Sequence, residues 1–363
     1  MRSKSGLLAA LFVCISLENS SECSSEEIMI MTTTDWNVPA LLQLAGGYWG
    51  TCALHAGVKL DVFSAVADSP KTAGDVSLLL HSDVRAMAML LNSLAALGLL
   101  EKHNELYSVP QFSREYLVST SPSYMGHIIM HHQHLVESWA HLSEAVISGR
   151  PVRKDVSHEN DEAVRESFLM GMFNLASLLA PSIAQAVDLS AGKRLLDLGG
   201  GPGTYAIHFC LANPELFAEI YDLPTTRKFA KATVNRFGLS DRISFVPGDY
   251  NADSIPTGYD IAWLSHVLHI EGPVACRNLL KKAVAALDTG GLLLVQEFIL
   301  NDEKNGPEFP ALFSLNMLVG TDTGQSYSQK ELSEMMTDAG LTDIARLDIE
   351  LPNGSGILTG RKL

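Results

Sequence analysis

The chain has 363 residues, 47% of them hydrophobic and 18% charged, with a formal net charge of −15. That length and apolar content can bury a large core and divide into two domains, while the acidic balance and the lack of any Lys/Arg run argue against a nucleic acid held by phosphate neutralisation. The five cysteines (Cys14, Cys23, Cys52, Cys210, Cys276) are odd in number and never spaced C-x-x-C, so neither a disulfide framework nor a zinc site is expected, and a reducing, cytoplasmic setting fits best.

Residues 1–31 contain "GLLAALFVCISL" at 6–17, behind Arg2 and Lys4. The stretch resembles a short signal peptide, but no A-x-A-like site follows it, "ENSSECSSEE" reads as disordered, and Met29 and Met31 stand just before the first well-patterned segment. A disordered tail or a start codon set too far upstream is the favoured reading, with folded protein from about residue 32. No apolar run reaches the roughly 18 residues that span a bilayer, so no membrane partner is expected.

Residues 32–120 read as short helices followed by a hairpin. "VPALLQLAGGYWGTCALHAGVKLDVFSAV" is apolar at helical spacing with a Gly-Gly break, and "DVRAMAMLLNSLAALGLLEK" is an amphipathic run ending at Gly98. "LLEKHNELYSV" then gives strand, turn and strand, which together describe a winged helix. Its outward positions are not basic, so a DNA-binding regulator is the weaker alternative to a dimerisation domain, and the apolar excess of "LLQLAGGYWGTCAL" suits burial against a second subunit. Residues 121–190 are helical, with "HIIMHHQHLVESWAHLSEAVISGRP" running free of Gly and Pro as far as Gly149. Its histidines His127, His131, His134 and His141 fall close to one helical face, a spacing that binds zinc when a carboxylate such as Glu137 joins it. From residue 191 to 363 short apolar strands alternate with helices, the pattern of an α/β domain with a parallel sheet.

The first of those strands ends in "LLDLGGGPGTYAIHFC", where Gly199, Gly201 and Gly203 bring backbone N–H groups against a ligand at a helix start. A dinucleotide fingerprint would need glycine at 204, where Thr204 stands; instead Asp197 precedes the first glycine by two residues. That acid suits S-adenosyl-L-methionine, which carries an ammonium and a sulfonium and no phosphate. Asp222 in "AEIYDLP" stands where a second-strand carboxylate accepts from two ribose hydroxyls, and Asp249 with Tyr250 in "VPGDY" is placed for the adenine. Each acid alone is as well explained as a turn residue. Three at successive strand ends converge on one crevice.

With "DLGGGPG", "DLP", "GDY", "VLH" and "LDTGGLLLVQEFIL", the sequence over residues 37–360 resembles the small-molecule O-methyltransferase family of plant caffeate and flavonoid enzymes, acetylserotonin O-methyltransferase and bacterial natural-product enzymes. The resemblance implies a Rossmann-like class I methyltransferase domain, mostly parallel in its sheet, behind an α-helical winged-helix dimerisation domain, and therefore a homodimer acting on a small, aromatic acceptor. It makes His269 in "LSHVLHIEGP" the general base, a neutral imidazole suited to take a phenolic proton, with His266 the lesser candidate. Glu297 matches the acid that orients that base. Leu223 and Ser265 join the cofactor set, and Met130, His131, His134, Phe313, Asn316, Met317 and Thr321 the acceptor pocket.

Two departures stand out. After the base the chain reads Ile270-Glu271-Gly272-Pro273 where the family has Asp-Trp and a further acid, and Ser326 and Tyr327 occupy the place of a second orienting acid. A weaker base or a more acidic acceptor follows, and S- or N-methylation, or a relative that has lost methyl transfer, remains the alternative. The reaction needs no metal. The α-helical histidines accordingly become candidates for gripping a polar or anionic group of the acceptor, opposite His269.

Overall fold

A computed structural model describes residues 36–153 and 162–363, so the expected N-terminal extension, with Cys14 and Cys23, lies outside the described residues. The chain divides after Tyr48. In the first unit α1 (Val38–Gly46) starts at Asn37, whose side chain accepts from the Ala40 N–H at 3.0 Å, and no residue of the helix is buried. Its apolar Val38, Leu41, Leu42 and Leu44 are all exposed.

The second unit begins within α2 (Tyr48–Lys59) and continues through α3 (Val62–Ala65), β1 (Lys71–Thr72), α4 (Ala73–Leu79), α5 (Val84–Ala96), β2 (Glu101–His103), β3 (Leu106–Ser108) and α6 (Gln111–Tyr116). Side-chain caps start two of these helices: Thr72 and Asp75 form a reciprocal capping box on α4, and Asp83 accepts from the Ala86 N–H of α5 at 2.8 Å. β2 and β3 pair across a turn at Asn104, which has φ 56°, and β1 adds a third strand that the sequence did not reveal. Phe63, Leu91, Leu94 and Tyr107 form the core of this region together with Ile128 and Ile129.

The helical stretch differs from its sequence reading. It breaks at His141 into α7 (Gly126–Ala140) and α8 (Leu142–Ser148), where His141 leaves helical geometry; its Nδ1 pairs with Glu144 Oε1 at 2.8 Å in the next turn. His141 therefore falls out of the expected histidine stripe. α9 (Glu162–Ala186) has an 18-residue window of mean hydropathy 1.5, so by length and composition it meets the criterion for crossing a membrane, which counting uninterrupted apolar runs had missed. It packs instead on α7 and, with Ile183 and Ala184, into the sheet core.

The remainder runs β4 (Arg194–Leu198), α10 (Thr204–Ala212), β5 (Phe217–Asp222), α11 (Arg227–Arg236), β6 (Ile243–Pro247), β7 (Tyr259–Ser265), α12 (Pro273–Ala286), β8 (Leu287–Leu300), α13 (Glu308–Gly320), β9 (Tyr327–Ser328), α14 (Gln329–Asp338), β10 (Leu341–Arg346) and β11 (Ser355–Lys362). The sheet order is β10-β11-β8-β7-β4-β5-β6, with the strands from β8 through β6 mutually parallel and β11 antiparallel to both of its neighbours. β10 and β11 were not read from the sequence. Glu297 on β8 sits opposite Gly356 of β11 in that pairing.

Alternation along the strands feeds two apolar layers, which is why these strands read as nearly continuous hydrophobic runs. Leu196, Leu198, Leu264 and Val295 face Leu279, Leu280 and Met335, whereas Leu195, Trp263 and Leu294 face Phe209, Ala230 and Val234. The chain crosses from β6 to β7 over β4 and β5, so the direction of strand addition reverses between β4 and β7. The crevice beyond the C-terminal ends of those two strands is where this architecture places a ligand.

Candidate active site

Turning off β4, the chain passes through Gly199, Gly201 and Gly203 at φ 69°, 55° and 81°. Glycine is favoured at 203 on two counts: its φ is left-handed, and a Cβ there would lie 2.3 Å from Ile220 Cδ1 on the neighbouring strand. The loop is bound to β5 by the Gly199 N–H donating to the Tyr221 carbonyl at 2.8 Å and the Gly201 N–H donating to Asp222 Oδ2 at 2.8 Å. Asp222 Oδ1 also accepts from the Leu223 N–H at 2.7 Å and from Thr226 Oγ1 at 3.0 Å. Asp222 and Leu223 thus shape the loop as well as bordering it.

Asp197 is 2% exposed and lies beneath the loop, accepting from the Ala206 N–H at 3.3 Å. Burial pushes its carboxyl up to about 7, against the Ala206 N–H and with the help of the Asp222 charge. Burial likewise raises Asp222. Among the described residues neither acid has an ion-pair partner. Two desolvated carboxylates at the N-terminus of α10 repel a phosphate and favour a cationic, hydroxyl-bearing ligand, so the residues present fit S-adenosylmethionine. Asp249 and Tyr250 are half-buried, and Asp249 Oδ1 is occupied by the Asn251 N–H at 2.8 Å while the Tyr250 carbonyl accepts from Lys282 Nζ at 2.7 Å. Ser265 ends β7 and donates to Gln296 Oε1 at 2.9 Å.

Beyond β7, a single 3-10 turn at Leu268–Ile270 presents His269, which is 6% exposed. Its Nδ1 is 2.8 Å from Glu297 Oε2, while Glu297 Oε1 accepts from the Leu268 N–H at 2.8 Å and the His269 N–H at 3.3 Å. One carboxylate therefore fixes both the ring and its backbone. Burial alone would raise the Glu297 carboxyl, but the charges and hydrogen bonds of His269 and His266 hold it well below the usual carboxylate range. His266, at φ 56°, places its Nδ1 3.7 Å from the same Oε2 and its ring 4.2 Å from that of Phe298.

Among the described residues, His266, His269 and Glu297 form the one histidine and acid group whose donor atoms lie within 4.8 Å of one another, and the α7 histidines form none. A cation there would have to displace the His269 hydrogen bond. The segment that lacks the second acid is buried: Ser326 Oγ has no hydrogen-bond partner among the described residues, and Tyr327 Oη donates to the Glu271 carbonyl at 2.5 Å. The Glu271 carboxylate turns to Asn251 Nδ2 at 2.6 Å.

An aromatic wall closes on the histidine. Phe313 meets the His269 ring edge-on at 4.8 Å, and Phe298 lies 4.8 Å from both Phe309 and Phe313. Phe298 and Phe309 were missed in the sequence, although Phe309 stands four residues before Phe313, one helical turn away on the same face. Asn316 accepts from Trp139 Nε1 at 3.1 Å, tying α13 to α7. Met317 is buried, and Thr321 Oγ1 donates to the Met317 carbonyl at 2.8 Å and accepts from the Gly324 N–H at 2.9 Å, so these two secure the end of α13. Met130 packs toward the N-terminal core, His134 is half-buried, and His131 is 9% exposed with Nδ1 lacking a hydrogen-bond partner among the described residues.

The O-methyltransferase domain family matches residues 139–342, and the O-methyltransferase dimerisation domain matches residues 42–119. The chain is 32% identical over 332 residues to 3-hydroxy-5-methyl-1-naphthoate 3-O-methyltransferase of Streptomyces sahachiroi, an alignment spanning 89% of this chain and 95% of that enzyme. It is 30% identical over 331 residues to acetylserotonin O-methyltransferase of Gallus gallus, spanning 86% and 95%. The crystal structure of human N-acetylserotonin methyltransferase in complex with SAM is similar at a TM-score of 0.80 and 25% identity, over 92% of this chain and 99% of that one. Matched by the methyltransferase domain over more than half its length, the chain belongs to the S-adenosylmethionine-dependent O-methyltransferase family.

Proposed function

We propose that this protein methylates a hydroxyl of a small aromatic molecule, with His269 as general base and Glu297 as the acid that orients it. The observation that carries the reading is the buried His269 Nδ1 to Glu297 Oε2 contact of 2.8 Å. With Nδ1 donating to the carboxylate, Nε2 is the nitrogen that takes the acceptor's proton, and Glu297 stabilises the imidazolium that results. Phe298, Phe309 and Phe313 exclude water and offer faces to a flat ring. S-adenosylmethionine, when bound, supplies a methyl carbon already activated by its positively charged sulfur.

Gly199, Gly201 and Gly203 would bring the loop backbone against that cofactor. Asp197 would lie beneath its charged end, Asp222 and Leu223 would meet the ribose, and Asp249, Tyr250 and Ser265 would border the rest. The relative from Streptomyces sahachiroi is named for a hydroxylated naphthoate, which supports a fused-ring aromatic as acceptor. A homodimer is supported by the dimerisation-domain match and by the exposed apolar face of α1. A cytoplasmic setting is supported by free Cys52, Cys210 and Cys276.

The test is turnover of methyl-labelled S-adenosylmethionine with a hydroxylated aromatic panel. His269→Ala should abolish labelling of oxygen while His266→Ala retains it; unchanged turnover in His269→Ala would sink the assignment. Light scattering at micromolar concentration checks the dimer.

A further inference from the structure

Glu297 faces two imidazoles and hydrogen-bonds only one of them. Its Oε1 is taken by the Leu268 and His269 N–H groups at 2.8 and 3.3 Å, which leaves Oε2 turned toward the rings. His269 Nδ1 lies 2.8 Å from that oxygen, and His266 Nδ1 lies 3.7 Å from it, too far for a hydrogen bond. The His266 nitrogen is buried and has no hydrogen-bond partner among the described residues. It is held there nonetheless. The His266 N–H donates to the Gln296 carbonyl at 2.9 Å, its φ of 56° is a left-handed value uncommon for a residue with a Cβ, and its ring packs 4.2 Å from that of Phe298.

Two imidazole nitrogens and one carboxylate oxygen thus lie within 4.8 Å of one another. Zinc bound tetrahedrally, at about 2.0–2.1 Å from each ligand, holds neighbouring ligand atoms about 3.4 Å apart. The contacts of 2.8 and 3.7 Å bracket that spacing, so shifts of about half an ångström would seat such an ion. Two imidazoles with one carboxylate and an open fourth position is a zinc-type set, whereas magnesium and calcium take oxygen ligands. The backbone donors on Glu297 Oε1, and Phe313 edge-on to His269 at 4.8 Å, are the supporting contacts that keep such ligands aimed. The His266 side chain is 26% exposed, against 8% for His269 and 2% for Glu297, so the way in from solvent passes His266.

We propose that His266, His269 and Glu297 form a zinc-type metal site which, when filled, switches the general base off. The ion takes Nδ1 of His269, so the single proton of the neutral imidazole moves from Nδ1 to Nε2. Nε2 then carries a hydrogen and has no lone pair to offer the acceptor's hydroxyl. His266 gains a purpose separate from methyl transfer, because it turns an orienting pair into a three-ligand site. The inhibitory consequence rests on the methyltransferase reading above; the site itself rests on the distances alone.

The experiment uses the full chain, freed of metal with EDTA and titrated calorimetrically with zinc chloride alone. A parallel titration with cobalt(II) chloride follows the visible absorption, which intensifies in a four-coordinate site. The wild type should take up about one zinc per chain at about micromolar free metal. His266→Asn keeps a residue that tolerates left-handed backbone but removes the imidazole; it should weaken zinc about a hundredfold or more and abolish the cobalt band. Glu297→Gln should do the same, and decides the matter if His266→Asn fails to fold, as judged by melting and by S-adenosylhomocysteine binding. Label transferred from S-adenosylmethionine should fall in step with zinc occupancy in the wild type and recover on adding EDTA. In His266→Asn, taken against its own metal-free rate, the half-inhibitory zinc concentration should rise by the same factor as the dissociation constant. No stoichiometric uptake by the wild type, the result expected if water and not metal satisfies His266 Nδ1, overturns the proposal. So does uptake or inhibition that survives both substitutions unchanged, or uptake that leaves turnover untouched. A protein that binds zinc through His266 but transfers no methyl group even free of metal sinks the methyltransferase reading and leaves the metal site standing.

Discussion

The glycine loop and the acceptor recess lie along the C-terminal edge of the same sheet, but they are constructed from different materials. The loop is backbone geometry: successive left-handed glycines, N–H groups turned by Asp222, and a carboxylate buried beneath them, all drawn from residues 197–226. The wall around His269 is side chains gathered from distant segments, with His269, Phe298 and Phe313 supplied by a turn beyond β7, by β8 and by α13. A fixed chemistry at one end and a changeable partner at the other is what such a division permits. Backbone cannot vary without losing the loop, whereas each aromatic or basic side chain can be exchanged singly.

Lesions in the two regions should therefore separate cleanly. The largest effect belongs to His269→Ala, which should lower kcat by about a hundred- to ten-thousandfold while leaving the affinity for S-adenosylhomocysteine unchanged, as read by single-turnover kinetics and calorimetry. Next, Gly203→Ala forces a Cβ into Ile220 at a left-handed position and should cost about 1–3 kcal/mol of stability. It should weaken cofactor binding with it, in a thermal melt and a titration run side by side. A loop that tolerated the change would remove the contrast between the two regions.

Glu297→Gln keeps the shape of the orienting group and removes its charge. It should reduce kcat about tenfold or more with little change in KM for the acceptor, the signature of an interaction made mainly in the transition state. A titration effect comes fourth. Asp197 has its carboxyl raised from 3.8 to about 7 in the folded protein. The native state then holds a proton that the unfolded state has released, so cofactor-free stability should fall as pH rises from about 4 to about 7. Melting temperatures across that window should show the decline in the wild type and a flatter profile in Asp197→Asn. Smallest of all, His141→Ala should leave turnover unchanged, because His141 faces Glu144 at the surface and not the recess.

Legibility in the sequence followed the same division. "DLGGGPG", "DLP" and the strand that carries Glu297 could be read because each is local: a run of glycines, an acid at a strand end and an apolar strand state their geometry within a few residues. Phe298 and Phe309 could not, since what makes them matter is contact across the fold, with His266 and with each other. The helix break at His141 was hidden because no Gly or Pro stands there to mark an end. β10 went unread because an edge strand of mixed burial carries little alternation to detect, and β11 because a strand buried on both faces shows none.

Those unread strands bear on the chemistry in a way their composition conceals. β11 pairs with Leu292 through Phe298 of the strand that bears Glu297, with Gly356 abreast of it, yet it contributes no side chain to the pairing of Glu297 with His269. The placement of Glu297 against the His269 imidazole is thus partly written into the last few residues of the chain. A frameshift or nick inside β11 would leave His269 and Glu297 in place in the sequence and still disturb their pairing.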